Sequence, residues 1–130
     1  MFPGVDIIEI ERFTLACQRH PKIIDRLFTR REQNDLLGKS RQSWAGRFAA
    51  KEAILKALGT GLRDLTWQDI EILSGQMGEP LAFLSERAKV KAKARGGSVV
   101  RISIAHDRSK TIALAILCHS SKEIVNEEQG

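Results

Sequence analysis

At 130 residues and 42% hydrophobic side chains, the chain is long enough for one domain with a core of its own. Its 21 Lys and Arg against 16 Asp and Glu give a formal net charge of +5, which points to an acidic or phosphorylated partner without saying which. Cys17 and Cys118 are far apart, which speaks against a disulfide framework or a zinc site. The N-terminus lacks a signal-peptide layout, and the longest apolar run, Ile112 to Cys118, is too short to cross a bilayer. A cytoplasmic protein with no membrane association is expected.

Residues 2–10 are predicted to form a strand, with Val5 and Ile7 on one face and Asp6, Ile8 and Ile10 on the other. Asp6 thus shares a face with two isoleucines. It is either a strand-end carboxylate reaching water or one held at the edge of the core to bind a cation, and Gly4 permits close approach of another group. Residues 11–37 are predicted helical in two pieces broken near His20-Pro21. Thr29 and Glu32 form a capping box that starts a third piece running to about Leu37. Arg12, Lys22, Arg26, Arg30 and Arg31 make either a basic docking surface or a solvated face. Residues 38–42 are a polar connector.

A helix is predicted over Trp44–Leu58, stopped by Gly59. Trp44, Phe48 and Leu55 form a bulky stripe flanked by Ile54 and Leu58; Ala45, Ala49, Ala50, Ala53 and Ala57 cover most of the opposite side. Two narrow gaps remain, one holding Arg47 and Lys51, the other Glu52 and Lys56. A helix with so little polar face is expected to be largely buried, and buried charges require a counter-charge, a metal or a ligand. The alternative is an i,i+4 pair between Glu52 and Lys56, with Arg47 and Lys51 solvated.

Beyond it, residues 66–73 are predicted to form a strand with Ile70 and Ile72 on one face. Residues 74–80 turn back into a short strand, Leu81–Phe83. Ser85–Ala94 is a helix of alternating Lys and Ala, closed by Gly96-Gly97, whose lysines are read as solubilising. Residues 98–105 and 110–118 form a hairpin of two buried strands, with His106 at the mouth of its loop. A polar tail follows over residues 120–130, leaving residues 1–119 as the domain. The fold expected is α+β, an antiparallel sheet packed on the long Ala-rich helix.

Three segments together form a pattern: Gly4-Val5-Asp6; Arg47-Phe48-Ala49-Ala50-Lys51-Glu52-Ala53-Ile54-Leu55-Lys56-Ala57; and Ser103-Ile104-Ala105-His106-Asp107. A Gly-x-Asp strand followed by a Phe-x-x-Lys-Glu-(Ala/Ser)-x-x-Lys helix resembles the 4′-phosphopantetheinyl transferases, and among them the short holo-acyl-carrier-protein synthase type. Thr29-Arg30-Arg31-Glu32, Gly59-Thr60-Gly61 and Gly78-Glu79-Pro80 add to the likeness, which runs from Val5 to about Leu117. Two positions depart from it. Leu55 stands where a small residue such as Ser is frequent, and Phe2-Pro3-Gly4 where many members have Gly-x-Gly.

The resemblance implies transfer of phosphopantetheine from coenzyme A to a serine of apo acyl carrier protein, with release of adenosine 3′,5′-bisphosphate, in support of fatty acid biosynthesis. It implies Asp6 and Glu52 as ligands of Mg2+ and Lys56 beside the reacting diphosphate, these three being the catalytic set. Arg47, Lys51, Lys56, Gly59 and His106 would line the coenzyme A site, and Arg12, Lys22 and Arg26 would meet the acidic helix of the carrier protein. It further implies homo-oligomers, typically homotrimers, with active sites at subunit interfaces; His106 and Arg108 are expected to reach each site from the neighbouring subunit.

Elementary chemistry is consistent with this. Mg2+ is commonly held by one or two carboxylates plus substrate phosphates, and cleavage of a diphosphate requires charge neutralised on the bridging and leaving oxygens. Either a metal-bound water or Glu52 acting through a water can take the serine proton. Two other classes compete. One is a basic nucleic-acid-binding module, supported by the charge and the Lys-rich stretch 87–95, but lacking stacking aromatics there. The other is a carrier-protein scaffold without catalysis, against which all the proposed catalytic groups are present.

Overall fold

Glycine at position 4 lets the first strand lie directly on the longest helix. In the computed structural model, which describes residues 1–120, strand β1 (Phe2–Glu9) crosses helix α4 (Arg41–Leu58). A Cβ on Gly4 would overlap the Ala53 carbonyl oxygen and come within 2.6 Å of Ala57 N, so no larger residue fits the crossing. The tail expected over 120–130 lies, beyond Ser120, outside the described residues.

Between β1 and α4 run three short helices: α1 (Ile10–Arg19), α2 (Lys22–Leu27) and α3 (Arg30–Leu36). The predicted break falls at His20-Pro21, and the Thr29–Glu32 capping box opens α3, with both of its reciprocal hydrogen bonds formed. The connector before α4 is shorter than expected. Ser40 accepts a hydrogen bond from Ser43 N and starts the helix at Arg41, and Gly59 ends it in the left-handed conformation at φ 76°.

The chain continues through a 3-10 turn at Trp67–Asp69, strands β2 (Ile70–Ser74) and β3 (Pro80–Leu84), helix α5 (Glu86–Arg95), and the hairpin β4 (Val99–His106) and β5 (Lys110–Cys118). The strand predicted from residue 66 begins only at Ile70, because Asp69 accepts hydrogen bonds from Thr66 N and Oγ1 and winds residues 67–69 into the turn.

An antiparallel three-stranded sheet runs in the order β1-β5-β4, with Asp6 opposite Ala113 and Ala113 opposite Ile104; β2 and β3 form a second, two-stranded antiparallel sheet. The Ala side of α4 packs on the larger sheet, where Ala113 and Ala115 keep the surfaces close. Its aromatic end, Trp44 and Phe48, packs with Phe13, Leu27, Phe28 and Leu36 of α1–α3. Layers on both sides explain why α4 lacks a clean solvent face. The hairpin departs from expectation: only one of its faces is buried. On the outer face of the sheet Val5 and Ile7 are 50% and 57% exposed, and Ile112 and Leu114 are 40% and 43% exposed.

The buried charges of α4 are met from within the protein. Lys51 has no exposed side-chain surface, and neither does its partner Glu32. Its ammonium meets Glu32 Oε1 at 2.6 Å, the Leu27 carbonyl at 2.7 Å and the Trp67 carbonyl at 3.0 Å, which uses all three of its protons. The other Glu32 oxygen accepts from Ile72 N at 2.9 Å. One ion pair thus ties the end of α2, the start of α3, the 3-10 turn and β2 to α4. Burial pulls the Lys51 ammonium below the usual lysine range, and the Glu32 carboxylate opposes that pull. Removing one member of such a pair leaves a bare buried charge. Lys51→Met is therefore expected to cost about 3–5 kcal/mol of stability by urea denaturation; a loss within error of zero would contradict the structural role.

Candidate active site

Asp6 projects from β1 on the face that carries Gly4 and Ile8, toward α4, and only 11% of its side chain is exposed. There it meets Glu52. The Glu52 carboxyl is pushed up from 4.5 to about 7, first by burial, then by the hydrogen bond and charge of the Asp6 carboxylate; Lys56 pulls in the opposite direction. Lys56 Nζ donates to Asp6 Oδ1 at 2.8 Å and to the Val5 carbonyl at 3.0 Å, with more than half of its side chain open to solvent. The i,i+4 pairing within α4 considered from the sequence is thus replaced by a bond from Lys56 across to β1.

Asp6 Oδ2 is buried and has no hydrogen-bond partner among the described residues. An orphaned carboxylate oxygen beside a carboxyl that holds its proton to about pH 7 marks a cluster short of positive charge. Two carboxylates with one ammonium suit a hard divalent cation that takes oxygen ligands and leaves positions for water and phosphate. No group of three or more His, Cys, Asp or Glu converges among the described residues, so a soft-ligand or all-protein metal cage is not what this site resembles.

The remaining expected residues divide. Arg47 and His106 line a groove of about 300 Å3 with Lys39, Ser74, Pro80 and Ile104; Asp6, Glu52 and Lys56 are not among its walls. Arg47 is nevertheless largely engaged inside the protein. It donates to Asp35 Oδ2 at 2.9 Å, to Ser74 Oγ at 3.1 Å and, at close range, to the Ile72 carbonyl. His106 is exposed at the end of β4. The loop after it is pinned by Asp107, whose Oδ1 accepts from Lys110 N and Ser109 N at 2.8 Å each; these bonds hold its carboxyl below the usual range. Gly59 follows the last turn of α4. Arg12, Lys22 and Arg26 are exposed on α1 and α2.

Lys51 requires a correction. Expected beside a bound ligand, it is sealed in the core with its three protons already placed. Its partner Glu32 and the Arg47 partner Asp35 were not assigned from sequence. The only sign of Glu32 was the capping box, which explains one of its bonds but not the ion pair.

Comparison with known proteins is consistent with this geometry. Residues 3–116 match the family model of the 4′-phosphopantetheinyl transferase superfamily. A holo-[acyl-carrier-protein] synthase of Clostridium acetobutylicum is 45% identical over 116 residues, covering 88% of this chain and 94% of that protein. The holo-[acyl-carrier-protein] synthase of Clostridium novyi is 43% identical over 129 residues, covering 92% and 94%. Among solved structures, the Helicobacter pylori holo-[acyl-carrier-protein] synthase in complex with coenzyme A aligns at a TM-score of 0.78 and 31% identity, covering 88% of this chain and 98% of that one. With the match spanning nearly all of the chain, it belongs to the 4′-phosphopantetheinyl transferase superfamily.

Proposed function

We propose that the chain transfers 4′-phosphopantetheine from coenzyme A to a serine hydroxyl of apo acyl carrier protein, in the cytoplasm and in support of fatty acid biosynthesis. The observation that carries this is the meeting of Asp6, Glu52 and Lys56 at the β1–α4 crossing, in a chain whose relatives are holo-[acyl-carrier-protein] synthases. The serine oxygen bonds to the phosphorus that carries the pantetheine. The bond from that phosphorus to the bridging oxygen breaks, adenosine 3′,5′-bisphosphate leaves with that oxygen, and the serine proton is released.

Asp6 and Glu52 would hold Mg2+, which when bound neutralises charge on the diphosphate oxygens. Lys56, fixed by Val5 and Asp6 yet open to solvent, supplies further positive charge. A water held at this site, or Glu52 acting through a water, would take the serine proton. Arg12, Lys22 and Arg26 offer an exposed basic flank for the acidic helix of the carrier protein. The nucleic-acid reading is weakened by the pairing of three of the five α5 cations: Arg87 with Asp69, Lys89 with Glu86 and Lys91 with Asp64.

A homotrimer is part of the same proposal. Val5, Ile7, Ile112 and Leu114 form an apolar outer sheet face of the sort that marks an interaction surface. In this proposal His106 and Arg108, both exposed at the end of β4 and in the loop after it, cross the interface to complete each site.

Mass spectrometry of apo acyl carrier protein incubated with enzyme, coenzyme A and Mg2+ should show a gain of one phosphopantetheine. Asp6→Asn or Glu52→Gln should slow that gain by on the order of 10²–10³-fold; no gain with the unaltered enzyme would overturn the assignment. Mixing inactive Asp6→Ala subunits with inactive His106→Ala subunits should restore part of the activity, and complete absence of rescue would count against the shared site.

A further inference from the structure

Arg95, the last residue of α5, has no part in the machinery described so far. Its Nε donates to the Ala57 carbonyl at 3.2 Å, one of the carbonyls that the end of α4 leaves without an intrahelical partner. Its guanidinium carbon lies 4.6 Å from the centroid of the Phe2 ring. These two contacts fix the guanidinium against both elements of the active site, since Phe2 is on β1 and Ala57 on α4. The fork rests on Gly59, where an added Cβ would stand 2.7 Å from Nη1.

The Nε bond and the ring contact account for one edge and one face of the group. Both Nη nitrogens are without a hydrogen bond or ion pair to any described residue, and Arg95 is exposed. A helix C-terminus by itself disfavours anions; a guanidinium seated there reverses the local sign, and Lys56 stands on the same last turn of α4. A planar fork held at one edge, with its other donors free, is the arrangement that recognises phosphate oxygens.

We propose that the Nη groups of Arg95 bind a phosphate of coenzyme A beside Gly59, making Arg95 a binding residue for the donor substrate. This rests on the coenzyme A reading given above. Any ligand that approaches Gly59 from this side meets the guanidinium first. Coenzyme A offers two sources of the same chemistry, the diphosphate and the 3′-phosphate, and dephospho-coenzyme A lacks only the second.

Calorimetric binding and steady-state kinetics of the full chain separate the outcomes. Arg95→Gln should raise the Kd and KM for coenzyme A roughly tenfold, the scale of one lost charge-assisted hydrogen-bonded contact, with kcat and the KM for carrier protein unchanged; loss of the Ala57 and Phe2 contacts lowers its melting temperature as well. Arg95→Lys should fall between, because it keeps the charge but loses the fork. A penalty seen with coenzyme A and absent with dephospho-coenzyme A assigns the contact to the 3′-phosphate; an equal penalty with both assigns it to the diphosphate. An unchanged Kd for coenzyme A in Arg95→Gln overturns the proposal, as does a rise matched by an equal rise in the KM for carrier protein. If Arg95→Gln does not fold, Arg95→Lys carries the same comparison. Unaltered protein that fails to bind coenzyme A contradicts the proposed function instead, so the two failures are distinct.

Discussion

The crossing of β1 over α4 forces two carboxylates together with too little positive charge between them. Gly4 permits the contact, and the small residues Ala53 and Ala57 lie beneath it. Two positions further along β1, on the same face, Asp6 therefore reaches Glu52 rather than solvent. Lys56 compensates part of the charge, and the remainder shows in the high proton affinity of Glu52 and in the unpartnered oxygen of Asp6. In the folded protein Glu52 keeps its proton from 4.5 up to about 7. Its contribution to stability is present below the unfolded value and is lost as pH rises through the folded one. A cation at this site would supply the missing charge in place of the proton.

The polar residues of α4 serve two purposes. Lys51 and Arg47 turn toward the helical layer and β2, where Glu32, Asp35, Ser74 and backbone carbonyls receive them. Glu52 and Lys56 turn toward β1 and remain reachable. A buried ion pair is a weak source of net stability, but this one joins four elements to the helix that carries Glu52. Misplacing any of them would move the site, so the structural pair and the chemical pair, adjacent in the same helix, are mechanically linked.

Much of this architecture was legible in the sequence because the signals were local. The Gly59 stop, the Thr29–Glu32 box, the alternation around Asp6 and the Ala ribbon of α4 each report on a few neighbouring residues. The expectation that α4 is buried and that its charges need partners also held. The identity of those partners is not legible along the chain, since Glu32 and Lys51 lie on different helices and meet only in the tertiary structure, which is why Lys51 is expected from sequence beside a ligand. The same limit applies to Arg95, a helix-end arginine whose setting between Phe2, Ala57 and Gly59 has no signature along the chain. Leu55, which departs from the family pattern, proves to be a core side chain and leaves the neighbouring Lys56 free to reach Asp6. The hairpin strands, expected to be buried, carry Ile112 and Leu114 on a face that is open in the single chain.

The central claim is that Asp6 and Glu52 form one charge-deficient pair. Its most direct measurement is a carbon-13 NMR titration of the Glu52 side-chain carboxyl, assigned by its loss in Glu52→Gln. The account predicts a midpoint near 7 without divalent cations and a lower midpoint when Mg2+ is added. A midpoint near the ordinary glutamate value of 4.5, unmoved by Mg2+, would contradict it.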